Sequence, residues 1–191
     1  AKLVGPDSKY MWVSTFHSMC AKFLRRYSEN IGYQRNFVIY DTIDQKSVIG
    51  DCLKELNISE KQFSIPNIIK SISGAKDNLI SPGEYINQKQ GNYYHERMGS
   101  IYQLYQKKLK DNNAMDFDDL LGNTIKLFQD CPEVLSYYQN KFKYILVDEY
   151  QDTNHVQYRL VKMLAEGYKN LCVVGDDDQS IYGFRGADVG N

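Results

Sequence analysis

The run Tyr144-Ile145-Leu146-Val147 ends abruptly in two adjacent carboxylates, Asp148 and Glu149. The polar stretch Tyr150-Gln151-Asp152-Thr153-Asn154 follows, and then a helical pattern. Four aliphatic, β-branched or aromatic residues suffice for a strand, so the switch at Asp148 marks a strand end. In a parallel α/β sheet a buried strand delivers its last side chains to the carboxyl edge, where ligands bind. Adjacent acids are ordinarily solvated surface. At the end of a buried strand they repel one another in a low-dielectric setting unless a cation or donor compensates. A hard divalent ion such as Mg²⁺, held by one carboxylate and by nucleotide phosphates, is the natural compensator.

The same pattern recurs downstream, where Leu171-Cys172-Val173-Val174 runs into Gly175-Asp176-Asp177-Asp178-Gln179-Ser180. Between the two, Val156, Leu160, Val161 and Leu164 keep helical spacing, and Gly167 is placed to end that helix. Strand, helix and strand make a βαβ unit, expected to be right-handed, with both acid clusters on one edge. A charged loop is the competing reading for Asp176–Asp178. Gln179 is either a loop cap or, on the adjacent strand's edge, an amide that senses a terminal phosphate.

Upstream, Tyr10-Met11-Trp12-Val13 reads as a short strand running into Ser14-Thr15-Phe16-His17-Ser18, with Ser14 or Thr15 as an N-cap. Met19, Cys20, Phe23, Leu24 and Tyr27 then recur at helical spacing. Gly32 follows that helix, and Phe37-Val38-Ile39-Tyr40 is a second apolar run. From Asp41 to Asn112 no β-type alternation interrupts a series of helical stripes. Val48, Ile49, Cys52, Leu53 and Leu56 form one, opened by Thr42 or Asp44. Ile68, Ile69, Ile72 and Ala75 form another, with Pro66 suited to its first turn. Ser81-Pro82-Gly83-Glu84 has capping-box spacing, and Tyr94, Met98, Ile101, Tyr102, Tyr105 and Leu109 form a longer stripe. Asp116 caps a further helix whose buried face is Leu120, Leu121, Thr124, Ile125 and Phe128, and Pro132 opens the next. The predicted organisation is α/β: strand–helix units over 1–40 and 113–191, and an inserted helical subdomain over 41–112.

With 23 basic and 24 acidic side chains the net charge is −1, so any nucleic-acid contact must come from local patches or stacking surfaces. The four cysteines are widely spaced and there are only three histidines. That argues against zinc and for a reduced, cytoplasmic compartment. No signal peptide or bilayer-length apolar stretch occurs, so no membrane is expected as a partner. Two segments suit a nucleic acid. Tyr182, Phe184 and Arg185 alternate aromatics with a guanidinium, as sequence-tolerant base stacking requires; a buried aromatic pair beside a surface Arg fits equally well. Thr15, Phe16 and His17 open a helix whose hydroxyl and amides suit a backbone phosphate, or simply cap it. No G-x-x-x-x-G-K-[ST] occurs, and none of the thirteen glycines precedes a Lys. These residues therefore supply the metal-side half of a nucleotide site without its phosphate cradle. The start at Ala1 and the stop at Gly190-Asn191 read as a piece of a longer protein.

Taken together, the motifs resemble those of the UvrD/PcrA/Rep-type superfamily 1 DNA helicases, the PcrA-type members most of all. Val147-Asp148-Glu149-Tyr150-Gln151-Asp152-Thr153-Asn154 is similar to motif II, the Walker B region. Val174 through Asp188 is similar to motif III, Thr15-Phe16-His17-Ser18 to the early DNA-contacting motif, and Asp116-Phe117-Asp118-Asp119-Leu120 to the segment returning from the helical insertion. The match runs nearly the whole chain in the family's order.

The resemblance implies a partial RecA-like P-loop NTPase domain (1A) carrying an all-helical subdomain (1B). It also implies ATP-driven 3′→5′ translocation on single-stranded DNA, unwinding at single-strand/duplex junctions, and repair or replication proteins as partners. By that carry-over Asp148 is the Mg²⁺ ligand, Glu149 the catalytic base and Gln179 the γ-phosphate contact. Tyr182, Phe184 and Arg185 meet the single strand, with Thr15, Phe16 and His17 on its path. Phe184 stands where PcrA-type proteins usually carry Trp, so weaker stacking is expected. Without a P-loop or second motor domain, the 191 residues alone are expected to be inactive. The competing expectation is a non-catalytic DNA- or partner-binding module centred on the helical subdomain.

Overall fold

Short apolar runs and long amphipathic stripes sort the chain into brief strands and dominant helices. A computed structural model describes Gly5, residues 11–88 and residues 91–176. Helix α1 (Phe16–Tyr27) begins at Thr15, whose hydroxyl accepts from the Ser18 amide, and passes through a 3₁₀ turn (Ser28–Ile31) to left-handed Gly32. Strand β1 (Val38–Tyr40) leads into α2 (Thr42–Glu55), α3 (Ile65–Asp77), α4 (Pro82–Asn87) and α5 (Tyr93–Asp111). Strand β2 (Ala114–Asp116) then precedes α6 (Phe117–Asp130), α7 (Pro132–Lys141), β3 (Ile145–Val147), a 3₁₀ turn (Tyr150–Asp152), α8 (His155–Ala165) and β4 (Leu171–Val173).

The strands form two parallel pairs. β1 lies beside β2 with Tyr40 opposite Asp116, so α2 to α5 leave and return through one strand pair. β3 lies beside β4 with Val147 opposite Val173, connected through α8 as the βαβ reading expects. Successive residues of β2 face opposite ways. Ala114 joins a core built from α2, α3 and α5, with Ile49, Ile68, Ile72, Met98 and Tyr105 at its centre. Met115 joins a second core, where Cys20, Phe23, Leu24, Leu120, Phe128 and Leu160 meet. In that core Phe23 packs on Tyr138 at 4.2 Å and on Phe128 at 5.5 Å between ring centroids. Arg25 ties α1 to the entry of β1: its guanidinium lies 3.7 Å over the Phe37 ring and donates to the Phe37 carbonyl.

Several sequence expectations need correction. Residues 11–13 are not a strand: the Trp12 ring turns into the aromatic cluster against Phe142 at 5.4 Å, and Val13 is exposed. Asp41, not Thr42 or Asp44, caps α2, with Asp44 completing the capping box. Helix α8 ends at Ala165, and Gly167 is needed for proximity rather than for its dihedrals. A Cβ on Gly167 would stand 2.9 Å from that of Gln139, so the glycine lets the chain pass close to α7. β2 is a strand that no pattern in the sequence signals. Nor is β3 buried throughout. Val147 is, but Leu146 is 69% exposed and β4 is exposed along its length, in a sheet that is two strands wide among the described residues.

Candidate functional site

At the carboxyl edge of the β3–β4 pair the ladder continues past the strands: Val174 donates to the Val147 carbonyl at 2.8 Å, and Tyr150 donates back to Val174 at 2.9 Å. Between these bonds lie Asp148 and Glu149, both exposed. Glu149 is left-handed, with φ 52° and ψ 43°. The other non-glycine residues with positive φ (Asn57, Leu79, Asn113, Lys169) follow helix ends, where such a conformation is routine. Glu149 alone among them follows a strand, at a conformation that costs a non-glycine residue on the order of 1 kcal/mol and clusters at functional positions.

What holds Glu149 there is visible. Its amide donates to its neighbour Asp148 Oδ1 at 3.0 Å. Gln151, only 5% exposed, donates from Nε2 to Glu149 Oε2 at 2.6 Å while its Oε1 accepts from the Asp176 amide at 3.0 Å. One amide side chain thus joins the acid after β3 to the backbone after β4. Gly175 makes the approach possible, since a Cβ there would lie 2.6 Å from Gln151 Oε1. Gln151 was missed from the sequence, where it looked like any polar turn residue.

Neither Asp148 nor Glu149 makes an ion pair among the described residues. Among those residues no group of three or more His, Cys, Asp or Glu is gathered as a metal cage. One or two exposed carboxylates at a strand edge fit a largely hydrated Mg²⁺ that takes its remaining ligands from phosphates, and do not fit a structural metal.

The second predicted group lies at the start of α1. Thr15 is the cap, Phe16 is half-buried, and the His17 ring meets Phe117 edge-on at 5.7 Å. Burial lowers the His17 pKa, against the pull of nearby Asp118. Neither Thr15, Phe16 nor His17 bonds to Asp148 or Glu149. Gln179, Tyr182, Phe184 and Arg185 lie outside the described residues, as do Asp177 and Asp178.

Sequence reasoning missed one further constellation. Lys76 of α3 is buried and places Nζ 2.6 Å from Asp116 Oδ2 and 2.8 Å from Asp119 Oδ1. Tyr105 donates to Asp116 at 2.9 Å and Gln106 to Asp119 at 2.9 Å. Burial opposes every charge in this group. Lys76 is nonetheless held above its ordinary value by Asp119 and Asp116, and Asp116 below its own by Lys76. One ammonium serves two acids, so burial and the Asp116 charge leave Asp119 pushed up to about 6. Nothing in the spacing of the α3 stripe marks Lys76, which follows its last member, Ala75.

The sequence profile of the UvrD/REP helicase N-terminal domain matches residues 1–191. An ATP-dependent DNA helicase PcrA from Staphylococcus aureus (strain Mu50) is 56% identical over 191 residues, which cover 100% of this chain and 26% of that protein. The PcrA helicase of Staphylococcus epidermidis (strain ATCC 12228) is 55% identical over 190 residues, with the same 26% of its length covered. The chain therefore spans about a quarter of the length of the curated relatives it matches.

Proposed function

Because the chain belongs to the UvrD/REP helicase N-terminal domain family, we propose that it is part of an ATP-dependent 3′→5′ DNA helicase of the cytoplasm. In this reading residues 1–40 and 113–191 belong to a RecA-like domain 1A, and residues 41–112 form the helical subdomain 1B. The separate core of α2, α3 and α5 supports that division. The observation that carries the reading is the strand-edge pair Asp148–Glu149, with Glu149 held left-handed and oriented by Gln151.

Asp148 would hold Mg²⁺ together with the phosphates of ATP; when bound, the ion offsets charge that builds on the transferred phosphoryl group. Glu149 accepts the proton of the attacking water. Gln151 occupies Oε2, so Oε1 is the oxygen left to face that water. Orientation of this kind is what phosphoryl transfer chiefly asks of a protein. Gln179 contacts the γ-phosphate, while Tyr182, Phe184 and Arg185 stack on and grip single-stranded DNA at a junction with duplex. Thr15, Phe16 and His17 contact its backbone at the amino end of α1, where amides favour phosphate. Repair or replication proteins are the expected partners. Among the described residues no helix is long and apolar enough to cross a membrane.

The test is ATP turnover with and without single-stranded DNA. The full-length protein should be stimulated by the strand and should unwind tailed duplexes, whereas these 191 residues alone, with no P-loop, should show no appreciable turnover. Robust hydrolysis by the 191 residues would overturn the view that they hold half a site. Salt-sensitive duplex binding by the full-length protein, with no ATP-dependent unwinding, would favour the non-catalytic helical module instead.

A further inference from the structure

Helix α3 presents Ser73, Lys76 and Asp77 on one face, at the i, i+3, i+4 spacing of side-chain neighbours. Between them they reach two structural neighbours, the start of α6 and the start of α8. Ser73 donates to Asp118 Oδ2 at 2.6 Å, and Lys76 pairs with Asp116 and Asp119, all in the first turn of α6 or its cap. Asp77 accepts at Oδ1 from Asn154 Nδ2 at 2.7 Å. Asn154 is itself the cap of α8, accepting from the Gln157 amide at 3.0 Å, and it stands two residues past the end of the turn that follows Glu149. Asp118 lies close enough to His17 to act on its charge, and its neighbour Phe117 touches the His17 ring.

One rigid helix therefore bonds, through adjacent side chains of a single face, to the segment leaving the strand-edge acids and to the turn beside the start of α1. Neither of those two sites bonds to the other directly. We propose that Asp77 is a positioning residue that, through its bond to Asn154, lets α3 transmit the state of the Asp148–Glu149 edge to the Thr15–His17 segment. The inference rests on the helicase reading and adds to it the route by which strand binding is felt at the hydrolytic edge. Asp77 touches neither nucleotide nor DNA. Its effect is on the linkage between them, where coupling terms are modest and must be isolated by compensating changes.

The test uses the full-length protein, with oligodeoxythymidylate as the strand, and compares Asp77→Ala, Asn154→Asp and the exchange Asp77→Asn/Asn154→Asp. Asn154→Asp keeps a good helix cap but sets two carboxylates face to face. The exchange restores a donor–acceptor pair with its polarity reversed. Asp77→Ala should leave strand-free ATP turnover unchanged and cut stimulation by the strand roughly 3- to 10-fold. Asn154→Asp should lose stimulation to a similar extent, and the exchange should recover it to within about 2-fold of the parent. Undiminished stimulation in both single variants would overturn the proposal. So would a loss of strand-free and stimulated turnover in equal proportion that the exchange does not repair. No stimulation in the unsubstituted protein would overturn the helicase reading itself, and this inference with it.

Discussion

Strands β2 and β3 both deliver acids at their carboxyl ends, and the acids have opposite fates. β2 ends in Asp116, which is buried, receives Lys76 and Tyr105, and caps α6. β3 ends before Asp148 and Glu149, which are exposed and receive no cation among the described residues. Among the described residues the first set is neutralised from within and the second is not. A buried carboxylate with its own ammonium is structural: it locks the helical stripe over 41–112 onto α6. A carboxylate placed at a strand edge, with its backbone held in an unfavourable region and its oxygen oriented by a buried amide, is what the proposed role of Glu149 as the base requires.

Removing the internal cation breaks the comparison most severely. Lys76→Met leaves Asp116 and Asp119 buried without their counter-charge, and should destabilise the protein by about 3–5 kcal/mol at neutral pH in urea unfolding. The loss should shrink as the pH falls and the acids take up protons. A cost below about 1 kcal/mol at pH 7 would mean that the junction is not the lock described here.

A smaller effect sharpens the same contrast through pH. Burial, reinforced by the charge of Asp118, pushes Asp77 up to about 6. Its folded pKa therefore lies above its unfolded value, so the folded state holds the extra proton between about pH 4 and 6. Stability from this group is present below that window and is lost as the pH rises through it. Asp77→Asn keeps the acceptor for Asn154 but removes the charge. It should match the parent near pH 4 and exceed it at pH 8 by on the order of 1 kcal/mol, after discounting for the solvent Asp77 still sees. Parallel stability profiles for the two proteins from pH 4 to 8 would count against the assignment.

Much of this architecture was legible in the residues. The stripes of α1, α3, α6 and α8, the caps at Thr15, Ser81 and Asp116, and the strand-end placement of Asp148 all follow from local periodicity and local hydrogen bonding. What failed to show depends on partners distant in the chain. Ala114-Met115-Asp116 is too short to signal a strand, and becomes one only because Val38–Tyr40 lies beside it. Trp12 had the composition of a strand residue, but an aromatic cluster claims its ring. Gly167 looked like a helix terminator, and its real constraint is Gln139 on another helix. Lys76 meets Asp116 forty residues away, and no pattern within α3 distinguishes it from a solvated lysine. At the site itself, the acids were readable because a strand end is a local event. The left-handed Glu149 and the bridge made by Gln151 were not, because both need β4 alongside.

The most direct test of the central claim is Glu149→Gln in the full-length protein, measured for stability, ATP binding and unwinding together. The substitution removes a charge that no described residue neutralises, so stability should change by less than about 0.5 kcal/mol. Nucleotide binding should persist while hydrolysis and unwinding are lost. Unwinding at the parent rate would contradict the assignment of Glu149 as the base, and a stability loss comparable to that of Lys76→Met would erase the distinction between the two acid-bearing strand ends.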